Sequence, residues 1–332
     1  MSFVHLSSKF RSRCAPAGAR AMGHAAIVLT VWVMAAAQPV AAQPGGTDCS
    51  DLVVNRSYSL EFHEGFLNVP VMMNVATASI GIVPNAGAGT ITFLPQGQAA
   101  VRTTLAVGQI ALVTDMVYDN TSHYSLTWDG KTPASCVGTL TANTPGDSAN
   151  FELRAFPGGQ QIQLVHTDPG LIVSMTGYPV ETSGCTNNIL DGLYSYEAKG
   201  WAMSPQVAPL KFPGNQMLVG YYPFAMSGVM RFNSHDLRPP VVGAGTVTWT
   251  DMASANGAIT KRSGTGWFKI TKDCTGMISL TEPTLGQSFT LEAFVGKDGG
   301  AVYMVNVDGI PVQGGAIPAV ILGFSAKRVN AQ

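Results

Sequence analysis

The stretch Gly87-Ala-Gly-Thr-Ile-Thr-Phe93, GAGTITF, returns almost unchanged as Gly243-Ala-Gly-Thr-Val-Thr-Trp249, GAGTVTW. Such a glycine pair is either a phosphate-cradling loop or one landmark of a repeated fold. A dinucleotide fingerprint needs a strand, then GxGxxG, then a helix whose N-terminus meets the pyrophosphate. Here the third glycine is missing, and the pair runs into the alternating β pattern Thr-Ile-Thr-Phe. The lysine and hydroxyl residue of a P-loop are missing as well. The pair therefore reads as a turn entering a strand, with one glycine at positive φ.

Other landmarks recur in the same order. Cys49 and Cys136 stand 87 residues apart, and Cys185 and Cys274 stand 89 apart. Tyr58-Ser59 and Glu61 follow the first cysteine at the same distances as Tyr194-Ser195 and Glu197 follow the third. CVGTL at 136–140 matches CTGMI at 274–278, and FELRAF at 151–156 matches FTLEAF at 289–294. Repeats of this kind are read before any single motif. The chain is a tandem duplication, with repeat 1 over 43–181 and repeat 2 over 182–332. The two differ in loop length, at 97–122 in repeat 1 and at 201–241 in repeat 2. Pro239-Pro240 marks the second insertion as loop. The junction near 179–184 lacks a Gly/Ser-rich linker, so the repeats are expected to pack closely.

Apolar residues alternate with polar ones at Tyr58, Leu60, Phe62, at Phe151, Leu153, Ala155 and at Phe289, Leu291, Ala293. Period-two runs bounded by glycine-rich turns such as Asp129-Gly130 and Gly158-Gly159 are strands. About eight fit each repeat of roughly 140 residues, the size of a small barrel or sandwich. The fold class is all-β, two tandem small antiparallel β-barrels, with β-sandwiches as the alternative. The segment 70–80 fits a strand or a short helix.

Lys9, Arg11, Arg13 and Arg20 precede an apolar run of 13 residues, Ala25 to Ala37, and then Val40-Ala41-Ala42. That run is shorter than the roughly 20 residues of a bilayer span. It suits the core of a signal peptide, here 1–42. Beyond it stand 15 basic and 20 acidic residues, a net charge of −5 without a basic stripe. This argues against nucleic acid as a partner and against membrane insertion of the mature chain. The four remaining cysteines suit an oxidising compartment, periplasmic or extracellular. Matched spacing favours Cys49–Cys136 and Cys185–Cys274. No CxxC or paired-histidine spacing suggests zinc.

Leu193-Tyr194-Ser195-Tyr196, Gly264-Thr-Gly-Trp267 and Asp273-Cys274-Thr275-Gly276 resemble a group of uncharacterised secreted bacterial tandem β-repeat proteins. Their pattern is similar to calycin-type barrels, including the allene oxide cyclase-like barrel. Repeat 1 departs from it, with His123-Tyr124 in place of Gly-Trp and Ser135 in place of the aspartate. The resemblance implies a barrel and transfers no activity and no cofactor.

Catalytic motifs are sparse. GxSxG and HExxH are absent. His63 and Glu64 are neighbours on a strand and point to opposite faces. His123, His166 and His235 lack a partner at motif spacing, and Asp115 to Asp119 is too sparse for a calcium loop. Phe93, Tyr124, Trp249 and Trp267 read as core, with the first two near the places of the tryptophans. Glu61 and Glu197, with Tyr58 and Tyr194 beside them, are the ligand-binding candidates because both repeats carry them. The expectation is an exported, non-enzymatic protein holding a small apolar or amphipathic molecule in a barrel. Two alternatives stand beside it. One is a cyclase- or isomerase-like enzyme using Glu61 or Glu197; the other is an interaction module using loops 98–121 or 203–242.

Overall fold

The computed structural model describes residues 49–329 except 63–64, 69–81, 108–110, 119–120, 131–134, 145–146, 170, 181–183, 204–209, 212–216, 219–220, 237–239, 256, 284–285, 313–314 and 319. The signal peptide at 1–42, the pair His63-Glu64 and the segment 70–80 lie outside the described residues. Residues Gly46–Gln332 form one compact unit.

The first sheet contains β1 (Arg56–Phe62), β2 (Gly65–Asn68), β3 (Ile82–Phe93), β4 (Ala99–Val107), β5 (Ala111–Tyr118) and β6 (His123–Trp128). It continues with β7 (Cys136–Thr144), β8 (Asp147–Ala155), β9 (Ile162–His166), β10 (Leu171–Ile172) and β11 (Ser174–Val180). Next come β12 (Gly192–Met203), the small hairpin β13 (Leu210–Lys211) and β14 (Met217–Leu218), β15 (Tyr221–Asn233), β16 (Gly245–Ala255) and β17 (Ala258–Ile270). The chain ends with β18 (Thr275–Glu282), β19 (Gln287–Val295), β20 (Ala301–Asn306), the hairpin β21 (Gly309–Val312) and β22 (Gly315–Pro318), and β23 (Val320–Arg328).

The second sheet is a closed antiparallel barrel in the order β12-β15-β16-β17-β18-β19-β20-β23. Each strand pairs with the next along the chain and the last returns to the first, an up-and-down barrel. The first sheet follows the same order from β6 through β7, β8, β9, β11, β1 and β3 to β4, but it does not close as a barrel. The all-β class holds, with one closed barrel and one curled half-barrel where two closed barrels were expected. The reason lies in one strand. The long β17 pairs with β16 on one side and β18 on the other. In the first sheet the corresponding chain is split into β5, which pairs only β4, and β6, which pairs only β7. The bridge Gln98↔His123, the bond from Ala99 N–H to Ser122 O and the Tyr124 hydroxyl donating to Leu94 O join the two rims at one end.

The cysteines pair as the spacing suggested, Cys49–Cys136 with Cα atoms 6.0 Å apart and Cys185–Cys274 with Cα atoms 5.1 Å apart. Superimposing Cys136 on Cys274 and following the ladders makes the strands of the sheets correspond. Tyr58 then lies on Tyr194, Glu61 on Glu197 and Tyr124 on Phe268. Tyr58 is buried and donates to Gly159 O at 2.9 Å, and Tyr194 donates to Gly299 O at 2.5 Å. The two glycines adopt φ of 65° and 62° on equivalent short 3-10 turns, where a Cβ would strike the backbone carbonyls of Leu52 and Ile189.

Two of the repeated phrases are not structural equivalents. FELRAF and FTLEAF fall two residues out of register, so that Phe151 corresponds to Leu291 and Ala149 to Phe289. GAGTITF lies within β3, whereas GAGTVTW spans the turn before β16 and that strand's start. A turn with positive φ exists only in the second case, at Gly243. Gly87 and Gly89 are strand residues without positive φ. Their role is close approach: a Cβ on Gly89 would sit 2.5 Å from Arg102 O. Phe93 accordingly corresponds to Phe232, and the counterpart of Trp249 is Val101.

The outer faces of the two sheets pack together. Ala86, Ala88 and Ala106 of the first meet Phe294, Tyr303, Val305 and Ile321 of the second. Tyr178 stacks on Tyr303 with centroids 5.8 Å apart. Arg102 donates to Asp273 at 2.9 Å and lies 3.6 Å from Glu292, which also accepts from Thr104. Small residues on β3 and β4 permit this approach, and the buried Glu292 has partners from the opposite sheet.

Candidate functional site

Inward residues of a barrel strand alternate with outward ones, and eight strands leave an interior that side chains just fill. In the second sheet they do fill it. Tyr196, Trp249, Phe289 and Phe324 are buried in a continuous core with Met226, Met230 and Leu291. Among them Arg262 donates to Asp251 from Nε at 3.0 Å and from Nη2 at 2.7 Å. Tyr196 donates to the same carboxylate at 2.7 Å. The guanidinium lies 5.6 Å from the ring centre of Trp249 and 5.7 Å from those of Phe224 and Phe289. Burial first, and then the Asp251 charge, push the Tyr196 phenol well above its ordinary pKa, so it acts as a donor.

The same positions in the first sheet carry different residues. Leu60 replaces Tyr196, Val101 replaces Trp249, Thr103 replaces Asp251, Ala149 replaces Phe289 and Met175 replaces Phe324. Phe62, Leu105 and Phe151 restore part of the lost volume. What remains is a small cavity of about 60 Å³ that opens to solvent on one side. Of the thirteen described lining residues eleven are apolar; the exceptions are Thr103 and His166.

His166 ends β9 on the inward parity of Ile162 and Leu164, and its side chain is 7% exposed. Its ring packs edge-on against Phe151 with centroids 5.1 Å apart. Nε2 lies 3.3 Å from Asp168 Oδ2, while Nδ1 is buried with no hydrogen-bond partner among the described residues. Asp168 is held by Asn150, whose backbone N–H donates at 2.7 Å and whose amide donates at 2.8 Å. Burial works against the charge of Asp168. The two Asn150 bonds and the neighbouring His166 outweigh it and hold the carboxyl below its ordinary pKa. In the second sheet Asp308 likewise accepts from Thr290 N–H at 2.6 Å, but Asn306 stands where His166 does. The aspartate is thus common to both sheets and the histidine belongs to the hollow one.

Histidine 166 escaped motif reading because its partner is only two residues away, beyond the end of the strand. The signal was its place in the alternation Ile162, Leu164, His166, which sends an ionisable ring inward. The anticipated site residues are placed elsewhere. Glu61 and Glu197 face neither lumen; together they line a cleft between the sheets, about 880 Å³ in atom-free volume and partly open to solvent. Lys199, Lys327 and Tyr303 share it. Glu197 is 60% exposed and lies 3.5 Å from Lys199, a solvated pair of small energetic weight. Burial, and then the Glu61 and Tyr178 side chains, raise the pKa of Tyr303. Tyr58 and Tyr194 line neither the cavity nor the cleft, their hydroxyls being committed to the glycine carbonyls.

Among the described residues no group of three His, Cys, Asp or Glu side chains could hold a metal ion, and no helix is long and apolar enough to cross a membrane. The two disulfides indicate an oxidising, exported environment. No known protein family matches the chain, and no curated protein is similar to it.

Proposed function

We propose that the chain is an exported, non-enzymatic protein that holds one small apolar or amphipathic molecule in the lumen of its first sheet. The observation that carries this reading is the contrast between the lumens: equivalent positions are packed with aromatic side chains in one sheet and leave an apolar cavity in the other. The up-and-down order of the second sheet supports the calycin likeness, and small barrels of that kind hold single ligands. The basic and apolar N-terminal segment supports export, to the periplasm or the medium. Glu61 and Glu197, the carboxylates both repeats share, lie outside the cavity, which favours a binder over a catalyst built on them.

Native mass spectrometry of the mature protein purified from its own host, before and after organic extraction, tests this function. A discrete extra mass that leaves on extraction is the expected result. A bare mass in protein taken straight from the host would contradict it.

A further inference from the structure

Among the described residues the cavity wall is apolar apart from Thr103 and His166, and none of the described lining residues is a lysine, an arginine or a carboxylate. A charged head group would therefore be desolvated there without a counter-ion, at a cost of several kcal/mol. His166 narrows the choice among neutral groups. The Asp168 carboxylate, ionised and fixed by Asn150, can only accept hydrogen bonds. It therefore draws the N–H of a neutral imidazole to Nε2, which leaves Nδ1 with a bare lone pair. That nitrogen is buried and has no partner among the described residues. An acceptor left unsatisfied in this way carries a desolvation cost, which a donor brought by the ligand would recover. A ketone or an ether brings only acceptors.

We propose that the cavity takes an apolar alcohol or phenol, whose hydroxyl donates a hydrogen bond to His166 Nδ1 while Asp168 holds the imidazole in the Nε2–H tautomer. The proposal rests on the cavity being a ligand site. Asp168 is a positioning residue, and among the described lining residues Thr103 is the other side chain able to join a hydrogen bond with the same hydroxyl.

The test uses the disulfide-bonded mature chain at pH 8 and two isomeric probes, octan-1-ol and 1-methoxyheptane. They have equal numbers of carbons, and only the alcohol carries a donor. Affinities come from calorimetric titration, and the ring nitrogens of His166 are followed by 15N NMR. The alcohol should bind about 5–10-fold tighter than the ether, the worth of one neutral hydrogen bond. The Nδ1 resonance should shift on saturation while Nε2 stays protonated. His166→Leu should remove the preference and retain ether binding. Equal affinities, a preference that survives His166→Leu, or an unmoved Nδ1 resonance in the saturated native protein would each overturn the histidine's role and leave the cavity reading intact. Failure of both probes to bind would defeat the cavity reading, and the proposal with it.

Discussion

The two sheets share strand order, a disulfide, a buried tyrosine tied to a glycine carbonyl and an aspartate that receives a backbone N–H, yet their interiors differ. One is closed and packed with aromatics around a buried ion pair; the other is open along one seam and hollow. The difference teaches that the scaffold of such a sheet resides in its ends and turns, while the lumen is adjustable. Replacing Phe289 by Ala149 and Trp249 by Val101 at equivalent places removes two large side chains without altering the ladder. The closed barrel then serves as the rigid half. It buttresses the outer faces of β3 and β4, and the inner face of β4 forms part of the cavity wall.

The largest effect is expected where the packed interior has no counterpart. Asp251→Asn leaves the buried Arg262 without its charge partner and should destabilise the protein by about 3–5 kcal/mol in urea unfolding. Thr103→Ser, at the matching place of the first sheet, should cost about 1 kcal/mol or less. Equal losses would erase the distinction between the two interiors.

Second in size is the disulfide pair. Closing loops of 87 and 89 residues constrains the unfolded chain almost equally. Replacing both cysteines of either bridge by serine should therefore cost about 2–5 kcal/mol, similar for the two. A much smaller loss for Cys49–Cys136 would mean that the open sheet does not depend on its staple as the barrel does.

Ala149→Phe gives the hollow sheet the residue its partner has at Phe289. It should weaken binding of an apolar probe at least about tenfold, equivalent to about 1.4 kcal/mol, with the fold retained by circular dichroism. Undiminished binding would place the ligand elsewhere. The smallest effect belongs to Glu61→Gln combined with Glu197→Gln. Stability should change by less than about 0.5 kcal/mol, and probe affinity should not change, because both side chains lie in the cleft. A loss of binding there would make the cleft, and not the lumen, the site.

Much of the scaffold was legible along the chain. The equal cysteine spacings indicated both disulfides, and the alternation at Tyr58, Leu60 and Phe62 identified inward and outward faces. Register was harder. A slip of two residues preserves every face of a strand, so alternation could not reveal that FELRAF and FTLEAF are offset. Similar glycine phrases mark different strands because close approach and tight turning both demand glycine. The cavity was beyond linear reading, since it is the sum of small residues on β1, β4, β7, β8 and β11 that meet only in the folded sheet. For Glu61 and Glu197 the sequence indicated the outward face, but the neighbour that face meets belongs to the other repeat. The open seam escaped because 98–121 reads as a loop when the repeats are compared, whereas the stretch carries β4 and β5, just as the supposed loop 203–242 carries β15.

The most direct measurement is a crystal structure of the mature protein under xenon pressure, since dry apolar cavities bind xenon. The account expects xenon among Leu60, Leu140, Phe151 and Val173 of the first sheet and none inside the closed barrel. Xenon inside the barrel, or a first sheet whose lumen is filled by its own side chains, would contradict it.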